Sequence, residues 1–387
     1  MASSKNGRTV LVLGGGVGGV VAAHTLRRRL SDRDRVVLIE REPNHLFQSS
    51  LLWLLVGQRR PEQIQRPLSR LERKGIEIVK GEIAQLDPER RRVRVNGSDL
   101  EGDAMILSLG AELNPEAIPG LAVAGHNLYS LDGTIAFRDV LQRFRSGRVA
   151  VLTAAPAYKC PAAPYEAAML VNDYLRRRSV GDARVDMYVA ESGPMGTAGP
   201  EVSAAVRQMV EAQSIGVHTE HQVRSVDPVA RTLSFANDAA AEYDLLLYVP
   251  PHRAPAVVRD AGLTGPSGWI SPDATTLQTQ AAGVFAIGDI AAIPLPSGKA
   301  LPKSGVFAHR QAEVVAENIA AEWAGRSPER TFDGTGACFI ETGSGRAGYG
   351  AGDFYADPAP VMKLRAPSRL WHFGKVAFEK WWFWKWF

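Results

Sequence analysis

The chemistry available to this sequence rests on a glycine loop, two carboxylates, two cysteines and a few well-placed lysines. Gly14, Gly16 and Gly19 form GxGxxG between a short apolar run, Val10 to Leu13, and an apolar helical pattern from Val20. In that spacing one glycine makes the tight turn, one lets the backbone approach a pyrophosphate, and one lets helix pack on strand. The helix N-terminus then offers unpaired N–H groups and a favourable dipole to the phosphates. A second apolar run, Val36 to Ile39, ends in Glu40, which is placed to accept hydrogen bonds from a ribose diol. Farther on, the run GVFAIGDI ends in Gly288-Asp289, where the carboxylate can bond a ribitol hydroxyl and the glycine permits close approach to phosphates. These are the two features expected of a flavin site. The next helix is expected to begin near Ser304 or Gly305. Its N-terminus, with Lys303 just before it, would stabilise negative charge on a reduced ring.

The two cysteines, Cys160 and Cys338, are too few for a disulfide-stapled scaffold, a CxxCH haem site or a four-Cys metal site. Lone cysteines of this kind are commonly inert core residues, so their surroundings decide. Cys160 lies close to the expected N-terminus of a helix, Pro164 to Arg177, where a lowered thiol pKa is expected, and Lys159 adds positive charge. Glu166 sits at the same helix start. It reads either as a proton relay or as a first-turn acid favoured by the dipole. The histidines make no metal-ligand pattern with cysteine, so no metal is expected. His218 and His221 read as solvated, and His309 and His372 as proton carriers or core residues.

The elements that must position these groups follow from periodicity. The first 110 residues read β-α-β, an apolar helical segment, a hairpin region and a closing strand, Asp103 to Leu109, ended by Gly110. Within the hairpin region Gly81 to Leu86 pairs with Arg92 to Val95, Asn96-Gly97 marks a turn, and Ile83 is a candidate cofactor contact. A second β-α-β begins near Arg148, with strands Val149 to Thr153 and Val185 to Val189 and a terminal acid near Glu191. Its phosphate loop, AAPAYKCPAAPYE, contains no glycine. A Cβ at those positions should block a pyrophosphate, so this half has the shape of a nicotinamide site without its key feature. The expected fold is α/β with two Rossmann-like three-layer domains and a C-terminal membrane-associating segment. Residues 1–113 with 250–325 form an FAD domain, 114–249 a degenerate NAD-like domain carrying Cys160, and 326–387 a C-terminal region carrying Cys338.

The chain has 387 residues, 45% hydrophobic and 22% charged, with a net charge of +4. That balance is globular and gives no reason to expect nucleic-acid binding. Neither a secretory signal nor an apolar stretch long enough to span a bilayer is visible, so a cytoplasmic location is expected. The last segment, LWHFGKVAFEKWWFWKWF, holds five of the eight tryptophans, with Lys375, Lys380 and Lys385 interleaved. Tryptophan and lysine bordering an apolar face are what an in-plane interfacial helix carries. Peripheral attachment to the cytoplasmic side of the cell membrane is therefore expected.

The layout of Gly14, Gly16, Gly19, Glu40, Gly110 and Gly288-Asp289 resembles the two-dinucleotide-binding-domain flavoproteins. Within them the details resemble sulfide:quinone oxidoreductases and the flavoprotein of sulfide-oxidising flavocytochrome c. The marks are YKCPAAPYE (Tyr158 to Glu166), PPHRAP (Pro250 to Pro255), LPKSGVFAHRQA (Leu301 to Ala312), GACFIETG (Gly336 to Gly343) and WHFGKVAFEKWW (Trp371 to Trp382). The resemblance implies that Cys160 and Cys338 form a redox disulfide beside FAD, that sulfide is oxidised there, and that electrons pass to quinone, with Phe378 a candidate quinone contact. With both cysteines so used, none remains to tether FAD, and non-covalent binding is expected. A homo-oligomer is compatible with this reading. Many sulfide:quinone oxidoreductases carry a third essential cysteine, and the region Asn127 to Asp132 has none. The alternatives are a type II NADH:quinone oxidoreductase, disfavoured by the glycine-free loop; a flavin subunit with a cytochrome c partner; and a non-catalytic flavin-binding module.

Overall fold

The computed structural model describes residues 7–387. Two five-stranded, wholly parallel sheets organise it. The first runs in the order Val284–Ala286, Ala104–Leu107, Thr9–Leu13, Arg35–Glu40, Glu77–Lys80. Its central strands read TVLVL, RVVLIE and AMIL and are buried on both faces, as a parallel sheet covered on both sides requires. The helix Val17–Arg29 follows the first strand directly and packs against the long helix Gly305–Trp323. Strand and helix are as the sequence predicts, and their junction is the glycine loop.

The second sheet repeats the plan in the order His126–Asn127, Leu245–Val249, Gly147–Thr153, Ala183–Val189, Gly216–His218. The helix Ala163–Arg177 crosses from its central strand and is buried along most of its length. Each sheet carries a three-stranded antiparallel meander, Ile83 to Glu101 on the first and Val223 to Glu242 on the second. In the first, Ile83 pairs with Val95 as expected. The Asn96-Gly97 turn adds a third strand, Ser98–Glu101, because both turn residues take positive φ, 52° and 79°, the geometry of a two-residue hairpin.

The C-terminal region is a three-stranded antiparallel sheet, Thr335–Gly343, Arg346–Asp353 and Val361–Ser368, followed by the helix Arg369–Trp386. The helix is capped by the Ser368 hydroxyl, which accepts from the Trp371 N–H. Its two faces differ. Trp382, Phe383 and Trp386 are buried against the first sheet's helices, whereas Leu370, Phe373, Phe378, Trp381 and Trp384 are exposed. A docked face and an exposed apolar stripe thus coexist. Among the described residues no helix is long and apolar enough to cross a membrane.

Candidate active site

The glycine loop is held from four directions. Gly14 adopts φ +103°, a conformation only glycine takes without strain, and its N–H donates to the Ile39 carbonyl at 2.8 Å. A Cβ at Gly19 would overlap the Gly14 carbonyl, so helix and strand touch there, whereas a Cβ at Gly16 would meet nothing. Gly16 therefore faces the open cradle. Glu40 accepts from the Gly15 N–H at 2.6 Å and from the Glu42 N–H at 3.0 Å. The Ser108 hydroxyl donates toward the Leu13 and Gly14 carbonyls at 2.8 and 3.1 Å, tying the closing strand to the loop. Gly110, at φ +68°, turns the chain away into open space. Ile83 is half-buried and packs with the cluster of Leu13, Ile39 and Val95 on one face of the sheet.

His45, which composition gave no reason to single out, donates from Nδ1 to the Gly15 carbonyl at 2.9 Å. Burial keeps its ring neutral: the pKa falls to about 4 although the bond to the Gly15 carbonyl pulls it upward. Trp382 stacks on it at 5.9 Å and Phe387 lies 5.3 Å away, so the C-terminal helix presses on the loop through this ring.

At the other end of the cradle Gly288 takes φ +74° and donates its N–H to Gln311 Oε1 at 2.7 Å. Asp289 Oδ1 is buried without a partner, and burial raises the carboxyl pKa against the pull of Lys159 and Lys303. Ser304 precedes the helix in an extended conformation with no side-chain cap bond, leaving that N-terminus free. An orphaned acid, an open glycine cradle and an uncapped helix start are what FAD would satisfy. Lys303 departs from expectation. Its Nζ donates to the Asp289 and Ala291 carbonyls at 2.8 and 3.0 Å and lies 3.6 Å from the Trp269 ring. It is a buried tie between two chain segments, and burial lowers its pKa to about 8.

Cys160 and Cys338 come from opposite sides to line one cavity of ≈ 60 Å³, together with Val202, Phe307, Ile340, Phe354 and Met362. Both thiols are free. The Cys160 N–H donates to the Lys303 carbonyl at 2.6 Å, so the loop that carries the thiol is bonded to the cofactor side. Cys160 has φ 46°, in the left-handed region that a side chain seldom adopts. The expected lowering of its thiol pKa is not found. Burial, then Cys338 and Glu166, push it well above the ordinary value, and Cys338 is pushed up to about 12, first by burial. The apolar walls outweigh the helix start, so the resting thiols are neutral.

Glu166 is neither exposed nor free. Its Oε1 accepts from Lys375 Nζ at 2.6 Å and from the Glu341 N–H at 2.8 Å. Burial alone would lower the Lys375 pKa, and the Glu166 and Glu341 carboxylates outweigh it and hold it above the usual range. Glu341 in turn faces His372 Nδ1 at 3.0 Å, and His372 is partly exposed. Lys375, read from sequence as one of the interfacial lysines, is instead the buried counter-ion of the cysteine-side acid. Lys380 remains exposed, and Lys385 lies over the Trp381 and Trp386 rings. One turn along the helix Glu379 is buried against Ser50 and Arg59. Phe378 packs on Phe47 and Trp381 and is not among the residues lining the cysteine cavity. His218 stacks on Tyr188 at 4.7 Å and is only partly solvated.

Residues 8–312 match the family model described as pyridine nucleotide-disulphide oxidoreductase. The chain belongs to that family. It is an FAD-dependent oxidoreductase homologous to sulfide:quinone oxidoreductases. A mitochondrial sulfide:quinone oxidoreductase of Mus musculus is 25% identical over 92% of this chain and 80% of its own. The crystal structure of the sulfide:quinone oxidoreductase of Aquifex aeolicus superposes with a TM-score of 0.87, covering 98% of this chain and 91% of that one at 23% identity. An alternative NAD(P)H-ubiquinone oxidoreductase of Arabidopsis thaliana is 24% identical, over 80% of this chain and 66% of its own. Sequence reasoning named the glycine loop, Glu40, Asp289 and both cysteines, and the structure puts Glu40 against the loop and both cysteines on one cavity. It did not single out His45, Ser108, Gln311, Glu341 or the buried role of Lys375.

Proposed function

We propose that this protein oxidises sulfide at Cys160 and Cys338 and passes the electrons through FAD to a membrane quinone. The observation that carries the reading is that the two cysteines line one apolar cavity while the Cys160 backbone is bonded to the Lys303 carbonyl on the cofactor side. In the oxidised protein the pair would be a disulfide. HS⁻ attacks one sulfur, so that an S–S bond forms to the incoming sulfur, the old S–S bond breaks, and the other cysteine leaves as a thiolate. A second HS⁻ removes the outer sulfur as hydrodisulfide and leaves a dithiol. Reoxidation of that dithiol releases two electrons and two protons. FAD, bound non-covalently because both cysteines are engaged, supplies the two-electron acceptor. Glu166, Lys375, Glu341 and the partly exposed His372 form a line of ionisable groups from beside the cysteines to the C-terminal helix, along which protons can leave. Apolar walls admit sulfide as neutral H₂S and keep competing anions out, and the attacking HS⁻ forms inside when that H₂S gives its proton to the Glu166 line.

The domain division proposed with this reading is 1–113 with 250–325 for FAD, 114–249 for the second unit, and 326–387 for the C-terminal region, and the two separate parallel sheets support it. Peripheral attachment is supported by Leu370, Phe373, Phe378, Trp381 and Trp384, exposed along one face of the final helix with Lys380 beside them. That face would lie on the cytoplasmic leaflet, with Phe378 at the quinone approach.

The test is anaerobic. Sulfide should bleach the visible flavin absorbance and a soluble quinone should restore it, with bleaching lost in Cys160→Ser and Cys338→Ser. Bleaching by NADH with indifference to sulfide would overturn the reading. Co-sedimentation with anionic vesicles, lost in a Phe373→Ser/Trp384→Ser double variant, tests attachment separately.

A further inference from the structure

Two lysines approach the Asp289 end of the cradle, and their surroundings are opposite. Lys303 has its ammonium on two carbonyls and an aromatic face. Lys159 is buried too, at 7% exposed, yet its Nζ has neither a hydrogen bond nor an ion pair among the described residues. Its backbone is fixed, because the Tyr129 hydroxyl donates to the Lys159 carbonyl at 2.6 Å and to the Cys160 carbonyl at 3.1 Å. The ammonium itself lies only over the Tyr129 ring, 5.4 Å from its centre.

A lysine held at so little exposure, with no partner for its ammonium, is costly unless an acceptor or an anion meets it. Asp289 is the matching case, a carboxylate with Oδ1 buried and unpartnered. The two do not close into an ion pair. Lys159 is tied to this end of the cradle through its neighbour Cys160, whose N–H bonds the Lys303 carbonyl while Lys303 Nζ bonds the Asp289 carbonyl. A cation and an acid, neither with a partner of its own, thus stand beside Cys160 at the Gly288-Asp289 turn.

We infer that Lys159 is the cation that meets the flavin and holds the negative charge its ring carries after two-electron reduction, and that Lys303 is a structural tie. Reduction brings two electrons and one proton to the ring, and Lys159 stays protonated throughout. The assignment rests on FAD being the cofactor and is independent of what donates the electrons.

The test uses the holoprotein with redox dyes and neither sulfide nor quinone, and reads the flavin reduction equilibrium by absorbance. K159M should shift that equilibrium toward oxidised flavin by about tenfold, about 30 mV for a two-electron couple. K159R should remain within about threefold of the unmodified protein. K303M should lower the melting temperature and flavin content without moving the equilibrium of the flavin that remains bound. If K159M fails to retain FAD, K159Q, which keeps donors without charge, takes its place. An unshifted equilibrium in K159M or K159Q, or an equal shift in K303M, overturns the assignment. Since no sulfide is present, such a failure leaves the sulfide reading standing, and loss of sulfide bleaching leaves this one standing.

Discussion

The carboxyl ends of the two parallel sheets make the instructive comparison. At the first, Gly14, Gly16 and Gly19 leave an open cradle whose polar groups are satisfied by backbone and whose outward acid, Asp289, is unpaired. At the second, the same position in the β-α-β plan is filled. Tyr158 and Tyr165 are buried there, and Ala157 and Cys160 take the positive φ values, 64° and 46°, without being glycine. The plan is one, but the first edge leaves an open glycine cradle and the second is filled by side chains around Cys160. What differs is a handful of Cβ atoms and the charges buried behind them.

The second edge depends on its internal ion pair, and Lys375→Met breaks it most severely. Glu166 would then be a buried carboxylate without its cation, while Glu341 keeps only His372. Removing one partner of such a pair costs about 3–5 kcal/mol. Urea unfolding should show that loss, and Glu166→Gln/Lys375→Met should recover a large part of it, because no unpaired charge remains at position 166. Equal destabilisation in the single and double variants would mean that the pair contributes through packing alone.

The first edge depends on pH through His45. Its folded pKa of about 4 lies below the unfolded value of 6.5, and burial is the main cause. Between those values the unfolded chain binds a proton that the folded chain refuses, so stability rises with pH there. The contribution is fully present above pH 6.5 and is lost as pH falls toward 4, reaching about 3 kcal/mol at one kcal-scale step per pKa unit. His45→Gln keeps an N–H for the Gly15 carbonyl and does not titrate. Its urea midpoint should vary less between pH 4.5 and 6.5, and the flavin should be retained to lower pH. Identical slopes in both proteins would remove the ring from the loop's support.

The two edges were unequally legible. At the first, GxGxxG, Glu40 and Gly288-Asp289 were legible because local backbone geometry sets them and spacing reports that directly, whereas His45, Gln311 and the tie made by Lys303 were not. The second was read as an absence of glycine, which is correct, but sequence could not say what fills the space. Glu166 and Lys375 meet across 209 positions, and His45 meets Trp382 through a helix at the far end of the chain. No periodicity encodes such pairs. The C-terminal helix was misleading for a related reason. Tryptophan and lysine alternate on it, yet Lys375, Glu379, Trp382 and Trp386 point inward while Phe373 and Trp384 point out. A helix with two apolar faces has a weak amphipathic signature whichever face is docked.

Gly19→Ala sharpens the comparison at smaller cost. Its Cβ would overlap the Gly14 carbonyl and approach the Ser108 hydroxyl, so helix must part from strand. Overpacking of this kind costs about 1–3 kcal/mol. FAD affinity should fall at least tenfold by fluorescence titration, with the second sheet and its cysteine cavity unchanged. Retained affinity would mean that the loop relaxes without opening the helix contact.

Ala157→Gly should give the smallest effect and the opposite sign. Ala157 occupies the left-handed region at φ 64°, which costs an L-residue about 1 kcal/mol that glycine does not incur. Relief of that strain is offset in part by the greater freedom of glycine in the unfolded chain. A net gain of a few tenths of a kcal/mol in urea unfolding is expected. The substitution should not create affinity for NADH, because the space beside it is occupied by Tyr158 and Tyr165 rather than closed by one Cβ. Saturable NADH binding in this variant would mean that glycine alone separates the two edges, and that the tyrosines move aside.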